Sequence, residues 1–159
     1  MKKFPFKTLK NILEEFDTTF SRINWGGCGI MASILAYHLK DVVDDLRIVS
    51  VGGHADCIDE ARKYVRGDDV DAWDEVGVSN VHVWVEFKWR FRWYAIDAEG
   101  LRSRREMYRN WGTPPKGSLR LNEIRRMCAG GGWNWAFDRD QVPKMKKLAS
   151  KRFKLLKEI

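Results

Sequence analysis

Ser79–Gly100, SNVHVWVEFKWRFRWYAIDAEG, decides the fold. From Val81 the stretch alternates. Val81, Val83, Val85, Phe87, Trp89 and Phe91 fall on one face, and His82, Trp84, Glu86, Lys88, Arg90 and Arg92 on the other. A period of two, carried by β-branched and aromatic residues, predicts a strand with one buried face. A second apolar run, Trp93-Tyr94-Ala95-Ile96, ends at Asp97. A hairpin turning at Trp89-Arg90 sets His82 directly opposite Asp97. Directly opposed side chains share a face with Cβ atoms ~5 Å apart. A carboxylate there accepts a hydrogen bond from one imidazole nitrogen and fixes the tautomer. This register is assumed, because Trp89-Arg90 is not an Asn-Gly type of turn.

Upstream, Asn24-Trp25-Gly26-Gly27-Cys28-Gly29 leads into IMASILAYHL, which reads as a buried helix over 29–40. Two glycines allow a sharp turn. Cys28 then falls at a helix N-terminus, where unpaired N–H groups and the helix dipole favour a thiolate. A thiolate beside an imidazole is an activated nucleophile. The other two cysteines, Cys57 and Cys128, lack such a setting and read as structural. His38 lies nearly three turns along the helix from Cys28 and reads as a packed or half-exposed histidine.

Around these stretches the chain reads as α+β. Residues 7–22 repeat Leu9, Ile12, Leu13, Phe16 and Phe20 at helical spacing. Leu46–Val51 is a short strand ending at Gly52-Gly53, and Ile58–Val65 a short helix. The stretch from Gly67 to Asp71 reads as an acidic solvated loop. Leu101–Arg109 is basic, with helix as its expected form. Asn122–Met127 is a short helix, and Trp133–Phe137 an edge strand or packed loop. A basic helix starts near Asp140, with Pro143 in its first turn and Met145, Leu148, Ala149, Leu156 and Ile159 as its apolar stripe.

The 159 residues are expected to form one domain, 1–159, with the basic C-terminal helix at about 140–159. An apolar fraction of 44% and eight tryptophans argue against disorder. No apolar run approaches the ~20 residues that span a bilayer, so no membrane partner is expected. Lys7, Lys10, Glu14 and Glu15 interrupt any secretory core near the N-terminus. With three cysteines and no such signal, reduced thiols and a cytoplasmic setting follow. No Cys-x-x-Cys pair and no EF-hand spacing occur, so no metal and no cofactor are expected.

The net charge of +7 is uneven: residues 41–87 carry 4 basic and 12 acidic side chains, whereas 88–126 carry 11 and 4. An acidic middle between basic segments weakens the inference from net charge to nucleic acid. Nucleic acid remains a possible but disfavoured partner through the basic segments.

The order Cys28, His82, Asp97 and the residues around each resemble the transglutaminase-like branch of the papain-like cysteine protease superfamily. Gly26–Leu35, GGCGIMASIL, is similar to that family's Gly-x-Cys helix start. His82–Phe87, HVWVEF, is similar to its His-x-Trp-x-Glu strand. Trp93–Gly100, WYAIDAEG, is similar to its Trp-x-x-x-Asp strand. The acidic stretch between Val51 and Ser79 and the Ala98-Glu99-Gly100 that follows Asp97 depart from the pattern. The resemblance implies a Cys-bearing helix packed on an antiparallel sheet. It implies acyl transfer through a thioester, by hydrolysis or transfer, on a peptide, amide or isopeptide bond. Cys28 is then the nucleophile, His82 the general base and acid, and Asp97 the orienting carboxylate. A peptide or protein substrate follows. The Cys28 backbone N–H is a natural oxyanion donor, with Asn24 or the Trp25 indole as second candidates. Trp84 and Glu86 share His82's face; either is a candidate to line the cleft, the plainer reading being a packed Trp84 and a solvated Glu86. Two other classes stay open: a non-catalytic binding protein on the same fold, and a basic nucleic-acid-binding protein.

Overall fold

The computed structural model describes residues 3–53, 56–66, 69–78, 80–129 and 137–158. It is an α+β arrangement around one antiparallel sheet. In chain order the elements are α1 (Phe6–Thr19), α2 (Cys28–Leu39), β1 (Asp45–Val51), α3 (Ile58–Tyr64), α4 (Val70–Glu75), β2 (His82–Trp89), β3 (Arg92–Asp97), β4 (Gly100–Ser103), α5 (Arg104–Trp111) and α6 (Leu121–Ala129). A 3₁₀ turn, Arg139–Gln141, leads into α7 (Val142–Arg152) and α8 (Lys154–Lys157). The four strands lie in the order β1-β2-β3-β4, every neighbouring pair antiparallel.

The sheet has two covered faces, not one. Val83, Val85 and Phe87 pack with Ile48 and Ile96 into the large core built with α1 and α2. Trp84 packs on the opposite face with Val49, Val51, Ala95 and Met107, under α5. The alternation of β2 therefore reports which cover each residue meets. The ends of the alternating stretch fare differently, since Val81 and Phe91 are exposed.

The central hairpin also turns later than expected. Val85 pairs with Ile96 and Trp89 with Arg92, which leaves Arg90-Phe91 as a two-residue loop. Arg90 takes the left-handed conformation such loops require, at φ 58°. Its N–H donates to the Asp44 carboxylate, which anchors the turn without Asn or Gly. The register is thus shifted by two residues, and His82 is not directly opposite Asp97. A shift of two preserves the face, so both side chains still point to the same side.

Helix α2 is apolar around most of its circumference because two of its flanks are covered. It packs on β1 and β2 along one flank and on α6 and α7 along another. Ile30, Met31, Ile34, Leu35 and Leu39 are all buried. Helix α1 buries Leu9, Ile12, Leu13 and Phe16 as its spacing predicts.

The segment after β3 is β4 followed by α5, not one helix over 101–109. Ser103 and Glu106 form a capping box: the Ser103 hydroxyl accepts from the Glu106 N–H, and the Glu106 carboxylate accepts from the Ser103 N–H. Likewise, the acidic 67–71 stretch is not a plain loop throughout. Asp69 caps α4 by accepting from the Asp71 and Ala72 N–H groups, and Trp73 is buried. Of the expected Trp133–Phe137 element, all but Phe137 lies outside the described residues, as does Ile159.

Candidate active site

The site starts at the turn before α2. Gly26 has φ 90°, a conformation that favours glycine. Gly27 is the N-cap, and it is packed too tightly for a side chain. A Cβ there would come within 2.6 Å of the Phe137 ring and 2.7 Å of the Ile23 carbonyl oxygen. This close approach sets Cys28 as the first residue of α2, half-buried, at the positive end of a 12-residue helix.

His82 opens β2, fully buried, and Asp97 closes β3, 2% exposed. His82 Nε2 donates to Asp97 Oδ2 at 3.0 Å. The diagonal offset left by the hairpin register is within reach of these side chains. Asp97 Oδ1 accepts from the Glu99 and Gly100 N–H groups, at 2.9 and 3.2 Å. Arg102 lies 3.5 Å from Oδ2. Both carboxylate oxygens are therefore fixed from behind. Asp97 occupies Nε2, which leaves Nδ1, a buried nitrogen with no conventional partner, for Cys28. Burial opposes a charge on the ring, but the bond to Asp97 and the influence of the nearby Cys28 sulfur outweigh it and raise the His82 pKa to about 9.

The structure thus gathers Cys28, His82 and Asp97, with the other candidates around them in different settings. Trp84 is not an oxyanion donor: it is fully buried and its indole N–H donates to Glu86 at 3.3 Å. Its ring flanks His82 with centroids 5.8 Å apart. Trp25 is 77% exposed, on the rim of the turn that carries Cys28. Asn24 is half-buried, and its Oδ1 has no partner among the described residues. His38 is half-buried far along α2 and stacks on Phe153. Cys128 packs beneath Gly29, where a Cβ would meet its Sγ at 2.7 Å. Burial, and then the charge of Cys28, push its thiol up to about 12, so it is protonated at neutral pH. No group of three or more His, Cys, Asp or Glu side chains among the described residues could hold a metal ion. No helix among them is long and apolar enough to cross a membrane.

Two features of the site were not read from the sequence. Trp111, the last residue of α5, stacks on His82 with centroids 4.0 Å apart and planes 20° apart. Glu86 is fully buried, not solvated. It ion-pairs with Arg47 and Arg104, each at 2.6 Å, and accepts from the Tyr108 hydroxyl at 2.7 Å. This cluster ties α5 to the sheet and so sets Trp111 over the imidazole. The Ser103-x-x-Glu106 capping box was the legible signal for α5; nothing local announced the stacking.

A raised histidine pKa has a signed consequence for stability. The folded value of about 9 lies above the ordinary 6.5. The stabilisation from His82 is therefore fully present below about pH 6.5 and lost as pH rises through about 9. Urea unfolding at pH 6 and pH 9.5 is expected to show this loss, and a His82→Gln variant to lack it. An NMR titration placing the His82 ring at or below 6.5 would contradict the assignment.

Comparison with protein-family models, curated proteins and solved structures finds no match to this chain.

Proposed function

We propose that this chain is a cysteine-dependent acyl-transfer enzyme on a papain-like, transglutaminase-type scaffold. Its substrate is a peptide, amide or isopeptide bond. The observation that carries the reading is the buried 3.0 Å His82–Asp97 hydrogen bond with Cys28 acting on the same ring. The chemistry begins when the Cys28 thiol proton passes to the imidazole. Asp97 holds the ring by Nε2, so Nδ1 faces the sulfur.

The Cys28 thiolate adds to the substrate carbonyl, and the oxygen takes the negative charge. The backbone N–H of Cys28 is the proposed donor to that oxygen, and Asn24 is the candidate for a second. His82 then gives its Nδ1 proton to the departing amine, and the C–N bond breaks to leave a thioester on Cys28. Water or an amine, deprotonated by His82, attacks the thioester and restores the thiolate and the imidazolium. Trp111 and Trp84 flank the ring, limit water around it and keep its plane fixed. Trp25 offers an exposed aromatic surface next to the nucleophile for a substrate side chain.

The test is a brief exposure to p-nitrophenyl acetate, read by intact-protein and peptide mass spectrometry. One acetyl group mapping to Cys28, and absent from Cys28→Ala, is expected. Acetylation of Cys57 at an equal or greater rate would overturn the reading and favour a non-catalytic binding role. Salt-sensitive RNA or DNA binding that survives in Cys28→Ala would favour the nucleic-acid role.

A further inference from the structure

On the flank of α2 away from the sheet lies a cavity of about 510 Å³, lined by neither Cys28 nor His82. Its size is that of a site for a small organic molecule. The buried Ile30 and Ile34 of α2 and the half-buried Val142 at the start of α7 make an apolar floor. Three exposed cations, Arg125 of α6, Arg139 and Lys146 of α7, stand around the opening. Among the described residues, no aspartate or glutamate lines it.

The cations are placed, not merely present. The Arg125 guanidinium lies 5.1 Å from the centroid of the Tyr37 ring, a contact that orients it while leaving its N–H fork available. Arg139 donates to the Ala129 carbonyl at 3.0 Å, which pins it to the end of α6. Among the described residues none of the three forms an ion pair with a carboxylate. A concave site ringed by one sign of charge over low-dielectric walls concentrates the opposite charge. His38, at the side of the cavity, is held below its ordinary pKa by burial and by Lys157. It is therefore mainly neutral at pH 7 and can hydrogen-bond.

We propose that this cavity binds a small amphiphilic anion, with an acidic headgroup at Arg125, Arg139 and Lys146 and an apolar chain or ring on Ile30, Ile34 and Val142. The headgroup is a carboxylate or a phosphate. The proposal uses none of Cys28, His82 and Asp97, although Cys128, packed beneath Gly29, also lines the cavity.

The test uses sodium octanoate and octyl phosphate as probes, followed by backbone amide NMR and calorimetry on the full chain. Octylamine and inorganic phosphate are the controls. Either anionic probe is expected to bind at least ten times more tightly than octylamine and inorganic phosphate, with saturable shifts at Ile30, Ile34, Tyr37 and Val142. The preferred of the two names the headgroup. Arg125→Ala/Lys146→Ala should weaken binding at least tenfold. Val142→Trp, which fills the floor, should abolish binding while the charges remain. Equal binding of octylamine, equal binding of inorganic phosphate, shifts elsewhere, or full affinity in both variants would each overturn the proposal.

Discussion

Glu86→Ala is expected to cost about 3 kcal/mol of folding stability, measured by urea denaturation at pH 7. Removing one partner of a buried ion pair strands the other and typically costs ~3–5 kcal/mol. The low end applies because Arg47 and Arg104 keep 34% and 26% of their side-chain surface in solvent and can turn outward. The loss has further parts. The Tyr108 hydroxyl and the Trp84 indole N–H both donate to Glu86, and each is left seeking a partner beneath α5. Burial, and then the bond to Glu86, hold the Tyr108 phenol above its usual range, so that shift should shrink with loss of the carboxylate. Glu86→Gln keeps Oε1 as acceptor for both donors but sets an NH2 against Arg47 and Arg104 in place of Oε2, so it should cost less than Glu86→Ala without being neutral. A loss under about 0.5 kcal/mol, the scale of ordinary surface changes, would mean that the cluster does not hold α5 to the sheet.

Asp97→Ala is expected to slow the proposed acyl transfer by about 10²–10⁴-fold, the range that a positioned acid–base group contributes. Asp97 touches no substrate; it acts through His82. Without it, Nε2 loses its 3.0 Å acceptor, and the ring loses both a fixed orientation and part of what raises its pKa. The pH dependence of the rate should therefore move to lower pH along with the loss of rate, which a purely structural role would not produce. Asp97→Asn has one acceptor where the carboxylate has two: with its oxygen held by the Glu99 and Gly100 N–H groups, its NH2 faces Nε2 and favours the wrong imidazole tautomer, so the rate should fall nearly as far as in Asp97→Ala. A wild-type rate and pH profile in Asp97→Ala would remove Asp97 from the site.

Much of this arrangement was legible from a few residues. The shared face of His82 and Asp97 survived a hairpin register that was wrong by two, because side chains in a strand repeat every two residues. The register itself was hidden. Arg90 supplies the left-handed turn residue, and its anchor is Asp44, far upstream in the chain. The helix start at Cys28 was legible because Gly26 and Gly27 meet two separate backbone demands, a positive φ and a close approach. Glu86 was misread because alternation places it opposite the main core, where a charged residue normally meets water. Its partners come from β1 and α5, and no local pattern joins Arg47, Arg104 and Tyr108. Trp111 was missed for the same reason, since its stacking on His82 depends on how α5 docks. A helix near α5 was expected, but its start was placed too early; the local Ser103–Glu106 box fixes that start, and the run of arginines around it obscured the strand that precedes it.

The measurement that bears most directly on the central claim is the rate of iodoacetamide labelling at Cys28 across pH 5–10, with mass spectrometry to locate the adduct and His82→Ala alongside. Partnership with the His82 imidazole predicts that Cys28 labels far faster than Cys57 and Cys128 near neutral pH, and that His82→Ala slows it at least tenfold there while leaving Cys57 unchanged. Labelling of Cys28 that is as slow as that of Cys57, and is indifferent to His82, would contradict an activated Cys28–His82–Asp97 unit.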